Sequence, residues 1–205
     1  MGYLGNQITT VFPTSISVDS ATISGNASVG GTLGVTGATT LSNTLGVTGV
    51  STLSDNIVFG ASSKGVHLGV TTATASNLID DYEEGTWTPS LHDGSTVITI
   101  ASPNAHYTKA GNSVHAEFFL QRNDSASNTA PMILGGLPFA HKAVPAVVGQ
   151  CWIDNNSASD IRCMLYLPSG YSQFYFVKTG ASGSYVSFNE FENGRYIYGA
   201  FDYVV

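Results

Sequence analysis

Bulky apolar residues recur at every sixth position between residues 20 and 59: Ile23, Val29, Val35, Leu41, Val47, Leu53 and then Phe59. Two places after each of the first six stands Gly25, Gly31, Gly37, Asn43, Gly49 or Asp55. These residue types tolerate tight turns and left-handed backbone angles. Only Ser, Thr or Gly separates anchor from turn, and a longer period lies on top, with Thr-Leu-Gly-Val-Thr-Gly at 32–37 and again at 44–49. Thr, Val and Ser dominate and no 3.6-residue apolar stripe appears, so the pattern predicts β structure rather than helix. A unit this short cannot bury its own anchor and must stack on neighbours.

Two windings compete. A single chain forming a β-helix, with three hexads per coil, gains only two coils, open ends and little core. Three identical chains wrapped about one axis bury every anchor against two copies and pair the strand edges. The intertwined trimer is therefore the expectation. A Gly/Ser/Thr linker is the bland reading, but a linker does not hold apolar residues in register for six cycles.

The hexad fails after Phe59, where Ala61 takes the turn position. Residues 60–84 read as a neck, with short extended pieces around Gly65-Val66-His67-Leu68-Gly69. A brief helix is expected over 76–84, capped by Ser76 or Asn77 and stopped by Gly85. From Gly85 onward the pattern changes to period two, in runs at 97–101, 113–121, 146–153, 161–167, 173–178, 185–188 and 195–204. Turn-forming clusters at 123–128, 168–170 and 180–184 separate some of them, and 19 of the 22 aromatic residues lie at Tyr82 or later. This predicts an all-β knob over 85–205, a β-sandwich or jelly roll of about eight strands, long enough to bury a core of its own.

The two cysteines refine one hairpin. Cys151-Trp152-Ile153 and Ile161-Arg162-Cys163 are symmetric about Ser157. A hairpin centred there sets Cys151 against Cys163 on one face and Trp152 against Arg162 on the other. Reduced thiols are expected from a cytosolic origin, with a disulfide as the lesser outcome.

Charged residues make up 10% of the chain, against about a quarter in ordinary soluble domains. The shortage is local: before Asp55 the only charged side chain is Asp19. The net charge of −7, with Lys and Arg scattered singly, argues against a nucleic-acid partner. No apolar run reaches the length of a membrane span, so no membrane insertion is expected. The first residues lack the basic and apolar regions of a signal peptide, which predicts synthesis without classical export. Residues 1–19, with Tyr3, Leu4, Ile8 and Phe12 among their apolar positions, read as a peptide that docks onto a larger body. An unstructured terminus is the alternative.

Several stretches carry a resemblance. Ser63-Lys64-Gly65-Val66, then Leu78-Ile79-Asp80-Asp81-Tyr82-Glu83-Glu84-Gly85-Thr86-Trp87-Thr88-Pro89, resembles the neck and first strand of a family of phage tail-fibre-like proteins, frequent in marine phages. Tyr107-Thr108-Lys109-Ala110-Gly111-Asn112-Ser113-Val114 and Leu134-Gly135-Gly136-Leu137-Pro138-Phe139 are similar to two further family stretches. The likeness covers roughly residues 60–140. It implies a virion protein, trimeric, with a β-rich distal knob; it does not imply a ligand, because members differ in what they bind. Adhesion to a host surface glycan or protein through the knob is the expected role. Residues 1–19 then become a virion-attachment peptide on a tail adaptor, nozzle or capsid protein, with Tyr3, Leu4, Ile8 and Phe12 as anchors. Longer members carry a sizeable N-terminal attachment domain that this chain does not show, so a capsid-mounted head fibre or decoration protein stays an alternative. A polysaccharide depolymerase is the enzymatic rival, and a cellular adhesin is disfavoured by the missing export signal.

No constellation predicts catalysis, and neither a cofactor nor a metal is expected. Asp80, Asp81, Glu83 and Glu84 match no calcium-loop spacing, and they are too adjacent to flank a glycosidic bond. The five histidines fall in no metal-ligand pattern, and no serine sits in a nucleophile elbow. For receptor binding, exposed aromatics and amides are the usual glycan-contacting groups. Tyr171, in a turn, is the first candidate, followed by Asn155, Asn156 and Tyr185.

Overall fold

The computed structural model describes residues 19–124, 128–142, 146–156, 160–168, 173–180 and 183–205. The chain divides into two units, Met1–Asn56 and Ile57–Val205.

In the first unit the backbone bends at 24–25, 30–31, 37, 42–43, 48–49 and 54–55. Those are the Gly, Asn and Asp positions of the hexad, so the local turn chemistry acts as the pattern predicts. No strand ladder closes among the described residues of this unit. The anchors Ile23, Val29, Val35, Leu41, Val47 and Leu53 remain 52–63% exposed. A single-chain β-helix with an interior does not form.

The second unit is all-β, with no α-helix among its described residues. Strands β1 (Val66–His67) and β2 (Leu78–Ile79) pair alone, around a 3-10 turn at Ala75–Asn77. The helix expected over 76–84 is therefore replaced by one tight turn and extended chain. The reason is physical: Asn77 exchanges hydrogen bonds with Leu68, and four carboxylates at 80–84 would crowd the negative end of such a helix. The chain instead enters β3 (Tyr82–Thr86).

The remaining strands are β4 (Ser90–His92), β5 (Ile100–Ala110), β6 (Ser113–Arg122) and β7 (Ile133–Gly135), then β8 (Ala146–Asp154), β9 (Ile161–Leu167), β10 (Phe174–Lys178) and β11 (Tyr196–Val204). With β3 they form one nine-stranded antiparallel sheet in the order β3-β5-β6-β11-β8-β9-β10-β7-β4. Alternation decides the faces. Along β6, Val114, Ala116, Phe118 and Leu120 are buried while Ser113, His115 and Glu117 are exposed.

The expected two-sheet sandwich is a single sheet curled on itself. Phe118 on β6 and Phe176 on β10 are four strands apart in that order, yet their rings meet edge-on at 6.4 Å. A flat sheet would hold them about 19 Å apart. Strict alternation specifies which side is buried and is silent on whether the buried side faces a second sheet or its own continuation. β3 and β4 occupy opposite edges but are joined by residues 87–89 alone, a link that spans at most about 14 Å. Trp87 fills the junction. Its indole N–H donates to the carbonyls of His106 and Glu117, and its ring meets Phe118 and Phe201 at 6.3 and 6.0 Å.

Cys151 faces Cys163 and Trp152 faces Arg162 in the β8-β9 ladder, the register that symmetry about Ser157 predicts. Where reduced thiols are expected, the structure places the two cysteines as a disulfide pair, with Cα atoms 5.0 Å apart. Compartment argues about origin, whereas this register brings the pair within bridging distance. At the β4-β5 turn, Asp93 accepts from the Thr96 and Ser95 N–H groups at 2.6 and 2.8 Å, and from the Ser95 hydroxyl and the Asn128 amide. These bonds, the one from Thr96 first, hold its carboxyl down at about 2 against an ordinary 3.8.

Two outcomes follow from these contacts. Replacing Cys151 and Cys163 by Ala removes a crosslink of sequence separation 12 and is expected to cost about 3 kcal/mol. The readout is a lower urea midpoint; an unchanged midpoint would mean the thiols are free. The depressed Asp93 carboxyl contributes stability that is complete above pH 3.8 and fades as pH falls towards 2. Asp93→Asn is expected to flatten the acid limb of a stability–pH curve in that window, measured by thermal melts.

Candidate functional site

Five strands in the middle of the sheet, β5-β6-β11-β8-β9, present a continuous outer face. Register alone lines up its side chains. Asn104 lies opposite Phe119, Phe119 opposite Tyr198, Tyr198 opposite Trp152, and Trp152 opposite Arg162. The adjacent row runs His106, Glu117, Ala200, Gln150 and Met164 by the same pairings. An aromatic row thus lies beside a polar row, and small Ala200 leaves a depression between them. All ten residues line one groove of about 850 Å³, within the range of small-ligand sites.

The aromatic row is held in place from one side. The Tyr196 ring stacks on Phe119 at 5.3 Å, and its hydroxyl accepts a hydrogen bond from the Gln121 amide, which also donates to the Gly194 carbonyl. Phe119 in turn lies 5.0 Å from Tyr198, and Tyr198 lies 6.4 Å from Trp152. Trp152 and Tyr198 stay 50% and 41% exposed, so their faces are open to a ligand. His106 Nε2 donates to Asn104 Oδ1 at 2.7 Å. Arg162 at one end of the row is exposed, and among the described residues it forms no ion pair.

No family model matches the chain, and no curated protein matches it either. Among solved structures, the crystal structure of the Dettilon tailspike protein is similar over 60% of this chain, at 15% identity and a TM-score of 0.47. The chain spans 23% of that tailspike's length.

The candidates read from sequence fall elsewhere. Asn155 is 3% exposed. Its amide donates to the Glu190 carbonyl and its Oδ1 accepts from the Glu192 N–H at 3.2 Å. A side chain so engaged fixes the 190–192 loop and is not available to a receptor. Asn156 is exposed with φ of 74°, the left-handed turn geometry that Asn tolerates. Tyr185 is exposed and packs 5.2 Å from Tyr175. Neither Asn156 nor Tyr185 lines the groove. Tyr171 and the anchor residues Tyr3, Leu4, Ile8 and Phe12 lie outside the described residues.

Three of the four carboxylates in the acidic run are engaged locally: Asp81 pairs with buried Lys109, Glu83 accepts from the Tyr107 hydroxyl and Glu84 from that of Tyr82. Accepting carboxylates raise both phenols above their ordinary 10.0. Among the described residues, no group of three or more His, Cys, Asp or Glu is placed to hold a metal. His115 pairs with Asp202 across the β6-β11 ladder at 2.9 Å.

Sequence reasoning missed Phe119, Tyr196 and Tyr198. The signal was present: they occupy the polar phase of runs whose other phase is apolar. Trp152 showed the same thing by standing opposite Arg162.

Stability separates the two kinds of residue. Asn155→Ala is expected to cost about 1–3 kcal/mol, because it leaves buried backbone groups without partners. Arg162→Gln is expected to stay within about 0.5 kcal/mol. Urea midpoints of the two variants check this ordering.

Proposed function

We propose that this chain is a homotrimeric virion fibre of a phage, which adheres to the host surface through the β-sheet unit. The observation that carries this reading is the hexad repeat itself. Its backbone bends in step every six residues, while the apolar anchors keep more than half of their surface exposed in one chain. Burying a Val or Leu side chain is worth about 1.5–3 kcal/mol, and sister copies on a shared axis supply that burial at every anchor. The likeness of residues 60–140 to phage tail-fibre-like proteins points the same way.

The mechanism is adhesion. Three identical sites on one axis, and several fibres on one particle, convert weak contacts into avidity. Among the described residues lining the groove, Glu117 is the single carboxylate. Canonical glycoside cleavage requires two opposed across the bond, so the groove favours holding a glycan over cutting one. Residues 1–19 serve as the attachment to another virion protein.

The test is the solution mass of the purified chain beside a Val35→Asp, Val47→Asp variant. The wild type is expected at three times the chain mass. The variant is expected to lose assembly, because unpaired carboxylates on a dry axis are strongly unfavourable. Wild-type monomers at micromolar concentration would end this reading.

A further inference from the structure

Building on the adhesive reading, we propose that the outer groove binds an oligosaccharide bearing a carboxylate. Its sugar rings lie along Phe119, Tyr198 and Trp152, and its acid group meets Arg162.

The geometry of the row carries the ligand class. The three aromatic residues stand on adjacent strands, directly opposite one another. Their ring centres lie 5.0 and 6.4 Å apart along the row, steps close to the length of one sugar ring. A pyranose has one face lined by C–H bonds, which packs on an aromatic ring, and a rim of hydroxyls that requires hydrogen-bond partners. The neighbouring row supplies those partners: Glu117 accepts, and Gln150 both donates and accepts. A groove with an aromatic floor on one side and amide and carboxylate groups on the other fits a glycan chain lying across the strands. A flat hydrocarbon or a helical peptide has no use for the second row.

Charge carries the finer assignment. Arg162 closes the aromatic row next to Trp152. Its guanidinium presents planar donors that match a carboxylate in a bidentate fork. Glu117 stands three strands away in the sheet order, about 14 Å across the ladder. Asp154 and Asp160 stand two residues from Trp152 and Arg162, but their carboxylates accept from the Asn156 and Asn155 N–H groups and neither lines the groove. Among the described lining residues Arg162 is the one Lys or Arg, on a chain whose net charge is −7. An acidic sugar seated there also finds the groove's polar end suited to hydroxyls rather than to a second acid.

The probes are short oligosaccharides of galacturonic, glucuronic, guluronic and N-acetylneuraminic acid, each beside its carboxyl-reduced neutral form, offered to the full chain. Binding to at least one acidic member is expected, with the reduced form at least tenfold weaker. Arg162→Gln is expected to erase that preference, and Trp152→Ala to weaken both forms at least tenfold. The chain has two tryptophans and Trp87 is buried. A bound glycan therefore shields Trp152 from acrylamide quenching, and this protection is absent in Trp152→Ala.

Failure to bind any acidic member, or equal binding of acidic and reduced forms, overturns the proposal. So does dissociation of the wild-type oligomer by Trp152→Ala, which would make this face a contact between copies. Labelled Arg162→Gln and Trp152→Ala chains that adhere to host cells as well as wild type remove this site and leave the adhesive reading standing. A wild-type chain that binds the acidic glycan yet adheres to no host cell keeps the site and removes that reading.

Discussion

Trp87, Thr88 and Pro89 join the two edges of a sheet that, laid flat, would hold them about 38 Å apart. Three residues cannot cross that distance, so the sheet must curl, and the chain is built to allow it. Gly136 sits at φ of 75° against the Thr88 carbonyl, where a side chain would collide. Gly199 leaves its inner position to the Phe118 ring. Trp87 then packs into the junction against Phe118 and Phe201. The curl gives the core its aromatic centre, and it leaves the other face of the same strands free for the two outer rows.

That outer face is backed by a fixed interior. Buried Arg122 donates to the carbonyls of Phe188 and Phe191, and Asn155 binds the Glu190 carbonyl and the Glu192 N–H. The 188–192 segment is thereby tied to β6 and to the end of β8, two of the strands that carry the aromatic row. The disulfide joins β8 to β9 directly beneath the Trp152–Arg162 pair. Groups mounted on paired strands in this way hold their spacing better than groups on loops.

Much of the β-sheet unit was legible because alternation is a strong code where one face is buried. The expected runs 113–121, 161–167 and 195–204 coincide with β6, β9 and β11 to within a residue. The β8-β9 register was legible too, since paired residues around Ser157 left one solution. What escaped was set by contacts distant in sequence. Tyr82–Glu84 falls in the expected helix and becomes part of a strand because β5 offers it a ladder. Ser90–His92 and Ile133–Gly135 are too short for any period to register. The site escaped for a related reason. Trp152 and Tyr198 come together only through β11, more than forty positions from β8 along the chain. Asn155 looked like a loop amide because sequence cannot show that its own side chain is buried.

The uncharged character of the repeat has a consequence of its own. No lysine or arginine precedes Lys64. Proteases that cut after basic residues therefore find no cleavage point over the first 63 positions. With Asp19 and Asp55 as its only ionised side chains up to Phe59, the segment also offers dissolved ions almost nothing to screen. What this segment offers for cohesion is therefore turn chemistry and apolar side chains, with almost no ion pairs for salt to weaken.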